Sequence, residues 1–229
     1  MSIARIGAVV LTFAATSSAC LVLTSCSNSN PLGGESGSQI AAQAASDLKS
    51  SSQFTISGTV VVSGLNLDMN LGYNTPASCS GTVGVNGKGS FVLVAINGTA
   101  WIKPDDSFWN SYAGSHAQQA IALLGGKYLK ASGSDSYVAG LAKLCTVGQL
   151  SSAFTTPGGV TKGAATTVNG QSAIPLTNTT GSTLYVSNTS SPQILKLTSG
   201  GSSVTFTYSA PAVAAPPASQ TIDGAQYGF

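Results

Sequence analysis

Phe54-Thr55-Ile56-Ser57-Gly58-Thr59-Val60-Val61-Val62-Ser63-Gly64-Leu65-Asn66-Leu67-Asp68-Met69-Asn70-Leu71 is the stretch on which the fold turns. Phe54, Ile56, Gly58, Val60 and Val62 alternate with Thr55, Ser57, Thr59 and Ser63, with Val61 as the exception. After Ser63-Gly64, Leu65, Leu67, Met69 and Leu71 alternate with Asn66, Asp68 and Asn70. Successive side chains of a strand point to opposite faces, so a period of two gathers the apolar groups on one side. The stretch reads as a β-hairpin with one buried face.

The same pattern extends outward in both directions. Downstream, Asn74-Thr75-Pro76 breaks the strand, and Cys79, Gly81, Val83 and Val85 then share a face. Asn86-Gly87 is a hairpin signal, because both central residues of the tightest turns need positive φ. Phe91 to Ile96 is apolar on both faces and predicts a central strand; Asn97-Gly98 turns into Trp101-Ile102-Lys103. This is an antiparallel meander. Upstream, Ile40, Ala41, Ala44, Ala45 and Leu48 recur at helical spacing, which predicts a short amphipathic helix ending near Ser51.

Pro104-Asp105-Asp106-Ser107 closes the meander and opens a helix. Paired aspartates suggest catalysis or calcium, but a helix N-cap followed by a first-turn acid explains them more simply. One stripe of Phe108, Trp109, Tyr112, Ala113, Ala117, Ala120, Ile121 and Leu124 predicts a single helix to Gly125-Gly126, with His116 as an interfacial side chain at its edge. Lys127 to Lys130 reads as extended. Tyr137, Val138, Leu141, Leu144 and Cys145 predict another helix, and Leu150 and Phe154 continue it after a break near 146–148. The second half returns to strands around Ala173–Leu176, Thr183–Val186, Ile194–Leu197 and Val204–Tyr208, punctuated by Asn169-Gly170, Thr180-Gly181 and Gly200-Gly201. The run Pro211 to Pro217 is too apolar for a free linker and is expected along the sheet edge.

Arg5, an apolar run from Ile6 and then small residues form a secretory signal, too short for a spanning helix. It ends in Leu23-Thr24-Ser25-Cys26, which resembles the lipobox of bacterial lipoproteins. That resemblance implies diacylglyceryl transfer to the Cys26 thiol, cleavage before it, and an acylated first residue. Cys20 is the rival, but Ser17-Ser18-Ala19 lacks the Leu-like residue at the third place back. A plain signal peptide with a chance cysteine is the other reading. Two or three acyl chains suffice for stable anchoring. The division is a signal peptide over 1–25, a flexible polar tether over 26–38, one domain over 39–223 and a tail over 224–229. The mature protein is then extracytoplasmic, on the outer face of the cell membrane.

Of 229 residues only 7% are Asp, Glu, Lys or Arg, against roughly a quarter in a typical soluble domain. The formal charge of +2 gives no electrostatic reason to bind nucleic acid. Among the four cysteines, Cys20 leaves with the signal and Cys26 is the lipid site. Cys79 and Cys145 remain as a pair in an oxidising compartment and read as one disulfide, with two buried free thiols as the alternative. The one histidine, Glu35 in the tether and scattered aspartates supply no triad, carboxylate pair or metal set, and no Gly-x-Ser-x-Gly elbow or phosphate loop appears. The chain is expected to be no enzyme and to need no cofactor.

Several phrases in order resemble the LppX/LprG-type lipoproteins of actinobacteria: Lys103-Pro104-Asp105-Asp106-Ser107-Phe108-Trp109, Gly126-Lys127-Tyr128-Leu129-Lys130, Val168-Asn169-Gly170-Gln171 and Gly181-Ser182-Thr183-Leu184-Tyr185-Val186. The likeness runs from about Ile40 to Asp223. It implies an α+β fold, a curved antiparallel half-barrel like that of the LolA periplasmic lipoprotein carrier, with helices over its concave face. It also implies a cavity between sheet and helices for the acyl chains of lipids or glycolipids, and a membrane exporter as the partner of such a carrier. Chosen by face and residue type, the liners would be Val60, Val62, Leu67, Met69, Val83, Val85, Phe91, Leu93, Phe108, Trp109, Ile121, Leu124 and Leu141. Apolar alternation alone is equally satisfied by a filled core, since native interiors are close-packed. A non-carrying surface or scaffold lipoprotein that contacts an envelope partner is therefore the alternative to a lipid carrier.

Overall fold

The computed structural model describes residues 30–62, 64–74, 77–131, 145–146 and 159–224. The opening hairpin is β1 (Gln53–Val62) and β2 (Leu65–Asn74), joined in full register from Gln53↔Asn74 to Val62↔Leu65. The meander continues through β3 (Ser78–Val85), β4 (Ser90–Ile96) and β5 (Thr99–Pro104). Asn86 and Gly87, and then Asn97 and Gly98, all take positive φ, as the turn chemistry requires. β6 (Tyr128–Ala131) adds to β5, and β13 (Thr221–Asp223) adds to β6 in parallel.

The other wing holds β7 (Val160–Lys162), β8 (Thr166–Val168), β9 (Gln171–Asn178), β10 (Thr183–Ser187), β11 (Ile194–Ser199) and β12 (Ser202–Thr207). β12 pairs with β1, so the two wings form one 13-stranded sheet in the order β13-β6-β5-β4-β3-β2-β1-β12-β11-β10-β9-β7, with β8 on β9. The end strands β13 and β7 do not pair with each other, so the sheet is curved but unclosed. This is the α+β half-barrel that the family resemblance implied.

Two glycines let neighbouring strands approach closely. Gly58 in β1 has φ +142 and Gly81 in β3 has φ +155, and a Cβ at either would collide with a neighbouring strand's carbonyl, that of Ser203 or Asn70. Strand glycines of this kind mark tight bends and close backbone approach.

Helix α1 (Gly37–Ser50) starts in a capping box: Ser36 accepts the Gln39 N–H, and the Gln39 side chain accepts the Ser36 N–H. Its buried stripe of Ile40, Ala41, Ala44, Ala45 and Leu48 joins the apolar face of the sheet in one core with Phe54, Leu71, Tyr73, Leu93, Ile174 and Val186. Here the expected tether shortens. Leu32 is fully buried, and the Lys162 ammonium donates to the carbonyls of Leu32, Gly33 and Glu35 at 2.8, 3.2 and 2.9 Å. Residues 30–36 are thus docked, because one apolar anchor and one cation with three acceptors hold them.

The single helix expected after Pro104 is two: α2 (Asp106–Tyr112) and α3 (Ala117–Leu124), separated by a 3₁₀ turn over Gly114–His116. Gly114 takes φ +54, which ends α2 and re-aims the chain. Trp109, Leu124 and Leu129 form a second, smaller core with Ile102, Ala113, Ala120, Ile121 and Ile222. The run from Pro211 to Pro217 does not follow the sheet edge. It straps across the outer face from β12 toward β13: Pro211 lies against Gly72, and the Val213 N–H donates to Asn74 Oδ1 at 2.6 Å.

Candidate functional site

The apolar face of the sheet is the surface on which a function can be sought, and its burial is uneven along the strands. In β1 and β2 the residues far from their shared turn, Phe54, Ile56, Leu71 and Tyr73, are buried. Toward the turn, Val60, Leu67 and Met69 are only half-buried, and Leu65 at the tip is 41% exposed. The sequence alternates in the same way along the whole hairpin, so the difference lies in what covers it. The trough is sealed at one end and half-open at the β1–β2 tip of the other, where the neighbouring Val85 and Phe91 are still buried.

The sealed end is built to stay closed. Phe54 and Tyr73 stack at 4.7 Å with their rings nearly parallel. Burial pushes the Tyr73 phenol well above its ordinary pKa. Next to Tyr73 in the sheet, Cys79 is bonded to Cys145 across a Cα–Cα distance of 5.1 Å, and both are buried in the same core. That bond pins the segment bearing Cys145 to β3 on the apolar side.

At the open end the strand registers bring together the β1–β2 turn, the Asn86-Gly87 turn, the start of α2, the Gly200-Gly201 turn and Val160 of β7. Phe108 of α2 sits there, 5.7 Å edge-on from Phe91 and 4.6 Å from Tyr112, which is 47% exposed. Asp105 fixes α2 in place. Its carboxylate accepts the Phe108 N–H at 2.7 Å, the Ser90 hydroxyl at 2.7 Å and the Ser90 N–H at 2.9 Å. Partial burial pushes its pKa up, but these hydrogen bonds outweigh that and hold it below the ordinary carboxylate value. Asp105 is the N-cap and Asp106 the first-turn acid. His116 is exposed between α2 and α3.

The candidate liners fall into two groups. Val60, Leu67, Met69, Val83, Val85, Phe91, Leu93 and Phe108 belong to the main core on the apolar face. Trp109, Ile121 and Leu124 belong to the second core over β5, β6 and β13. The Val62 side chain, Leu141 and Cys26 lie outside the described residues. Trp109 is 6% exposed, and its indole N–H has no acceptor among the described residues. No local pattern announces that orphan donor. Among the described residues, no group of three His, Cys, Asp or Glu is placed to hold a metal ion. A groove of about 510 Å³ between Ser90, Val92, Lys103 and Asp106 is mixed in polarity, and Phe91 is the one liner candidate it touches. A smaller one of about 190 Å³ lies among Val168, Gln193, Leu195 and Tyr208.

No family model matches the chain, and no curated protein matches it. Solved structures do. The chain is similar to LprF from Mycobacterium bovis. The two share 13% identity over 79% of this chain and 96% of that one, with a TM-score of 0.48. At that distance the likeness is one of outline, and the half-barrel described above stands on its own strand order.

Proposed function

We propose that this chain is an extracytoplasmic lipoprotein of the LppX/LprG type, anchored through acylated Cys26, that binds the acyl chains of lipids or glycolipids along the open end of its apolar trough. The observation that carries this reading is the gradient of burial on β1 and β2, from sealed Phe54 and Tyr73 to half-open Val60, Leu67 and Met69. An acyl chain laid on those residues would gain about 0.8 kcal/mol for each CH₂ taken out of water. That gain needs no charge, and the scarcity of charged residues suits a ligand held by its tails. The chemistry is binding and release without catalysis. Transfer to another membrane component, such as an exporter, would follow from release at the open end.

Native mass spectrometry of the chain from Cys26 to Phe229, purified unacylated from a membrane-containing host, tests this. A reproducible added mass that extraction identifies as lipid is the expected result. Met69→Asp, at a half-buried position facing the trough, should abolish it, whereas Asn70→Asp on the opposite face should not. A bare mass that persists after incubation with phospholipid would refute the carrier reading and leave the scaffold alternative.

A further inference from the structure

The docked N-terminal segment says which way the domain faces. Leu32 is buried, and Lys162 clamps the carbonyls of Leu32, Gly33 and Glu35, so the chain is fixed to β7 from residue 30 onward. The Gly33 N–H bonded to the Asn30 carbonyl and the Leu32 N–H bonded to Asn30 Oδ1, at 2.9 and 3.1 Å, tie Asn30 into the same turn. Four residue steps separate Asn30 from Cys26. Even fully extended, that span reaches at most about 14 Å. A tether of the length the sequence suggested, out to Ser38, would have allowed about three times as much.

The docked segment leads into α1 at the open end of the trough. Gly37, the first residue of α1, lies against the carbonyl of Val160. Val160 pairs with Asn178, at the end of β9 nearest Gly181. Following the registers across β10, β11 and β12, that end is also where Ser199 faces Ser202 and where Ser203 faces Thr59, next to the β1–β2 turn. The start of α1, where the docked segment joins it, and the half-exposed Val60, Leu67 and Met69 are therefore on one rim, with Leu65 projecting from it.

We propose that the Lys162 clamp makes a short leash that holds this open rim against the bilayer, with the β1–β2 turn as the contact point. The proposal rests on Cys26 being the anchor, and it goes beyond lipid binding: it assigns a membrane-facing surface and makes Lys162 the residue that positions it. Lys88, Lys103 and Lys127 near this end of the strands are matched by Asp68, Asp105 and Asp106, so zwitterionic phosphatidylcholine is a sufficient surface.

The test couples the Cys26 thiol of the 26–229 chain to a maleimide lipid in phosphatidylcholine vesicles, which removes any dependence on enzymatic acylation. Cys79 and Cys145 are bonded, so Cys26 is the reactive thiol. Amide hydrogen exchange is compared with the same chain blocked by N-ethylmaleimide and mixed with plain vesicles. The expected result is several-fold slower exchange at 64–66 and 200–201, with the opposite turns at 97–98 and 169–170 unchanged. Leu65→Asp, at an exposed position, should lose the slowing at 64–66. Lys162→Met should release residues 30–36 and level the two ends. Slowing at the opposite turns, at neither end, or undiminished in Lys162→Met would overturn the proposal. Lipid uptake by uncoupled protein is read separately. Uptake without rim slowing refutes the orientation and leaves the carrier standing; rim slowing without uptake does the reverse.

Discussion

Replacing Gly58 by alanine tests whether β1 needs a glycine where β12 approaches it. Gly58 sits on the apolar face of β1 at φ +142, and an added Cβ would meet the Ser203 carbonyl of β12 and lie 2.9 Å from Val204 Cα. Holding a non-glycine residue in such a backbone region costs about 1–3 kcal/mol. Relieving the collision by moving β12 away would weaken a ladder hydrogen bond, for about another 1 kcal/mol. The sum is a loss of about 2–4 kcal/mol on these two terms. Gly84 of β3 is the control: its φ is not in the positive region and its Cβ would meet Asp68 Cβ at 3.5 Å, an ordinary contact. Gly84→Ala should be neutral or stabilising by up to about 1 kcal/mol, through lost freedom in the unfolded chain. Urea unfolding of both variants with the wild type, at matched slope, reads the difference as a shift in midpoint. Gly58→Ala as stable as Gly84→Ala would refute the role assigned to strand glycines here.

Other expectations are briefer. Removing the disulfide as Cys79→Ala with Cys145→Ala opens a loop with a sequence separation of 66. By loop entropy this should cost about 4 kcal/mol in urea unfolding under non-reducing conditions, and a loss below about 1 kcal/mol would mean the unfolded chain is not constrained by that bond. Asp105→Ala removes the α2 cap and both Ser90 bonds, and should cost about 1–2 kcal/mol; Asp106→Ala, which lacks those bonds, should cost less. Because the folded Asp105 pKa is depressed, its contribution is present at neutral pH and is lost as pH falls below about 4, the ordinary value in the unfolded chain. Burial raises the Tyr208 phenol to about 12, against an opposing Ile194 N–H and with help from Asp47. Below its unfolded pKa of about 10 it contributes no slope, and stability should fall as pH rises from about 10 to 12. Tyr208→Phe should flatten that fall in alkaline unfolding curves.

The hairpins were legible because a period of two and Asn-Gly turns are local signals, and β1 to β5 came out within a residue or two of the expected strands. The misses have particular causes. Val160-Thr161-Lys162 is too short to show alternation, yet it supplies both an edge strand and the clamp. Residues 221–223 pair in parallel with a strand some ninety positions earlier, which no local pattern announces. The helical stripe from Phe108 to Leu124 reads through Gly114, whose left-handed backbone divides it. Leu32 was the one visible sign that the polar segment before α1 would dock: a lone large apolar residue amid Asn, Ser and Gly. As for the candidate site, face membership was legible and openness was not. Val60 and Ile56, or Met69 and Leu71, are alike in sequence pattern and differ only in what tertiary structure lays over them.

That difference bears on why the trough would be left uneven. If close packing were its sole purpose, covering Val60, Leu67 and Met69 as completely as Ile56 and Leu71 would add stability at about 25 cal/mol for each Å² of apolar surface removed from water. The chain forgoes that gain at one end only. At the other it concentrates its stiffest devices: the stacked Phe54–Tyr73 pair, the buried Cys79–Cys145 bond and the strap that joins Val213 to Asn74. Opening motions should therefore be confined to the β1–β2 tip, where Val60, Leu67 and Met69 are only half-buried, while the sealed end keeps the sheet folded. An apolar ligand of the proposed kind would then enter or leave without global unfolding. With that same rim set toward the membrane as proposed, a lipid tail moving between bilayer and trough would cross little water, and the largest cost of such a transfer would be avoided.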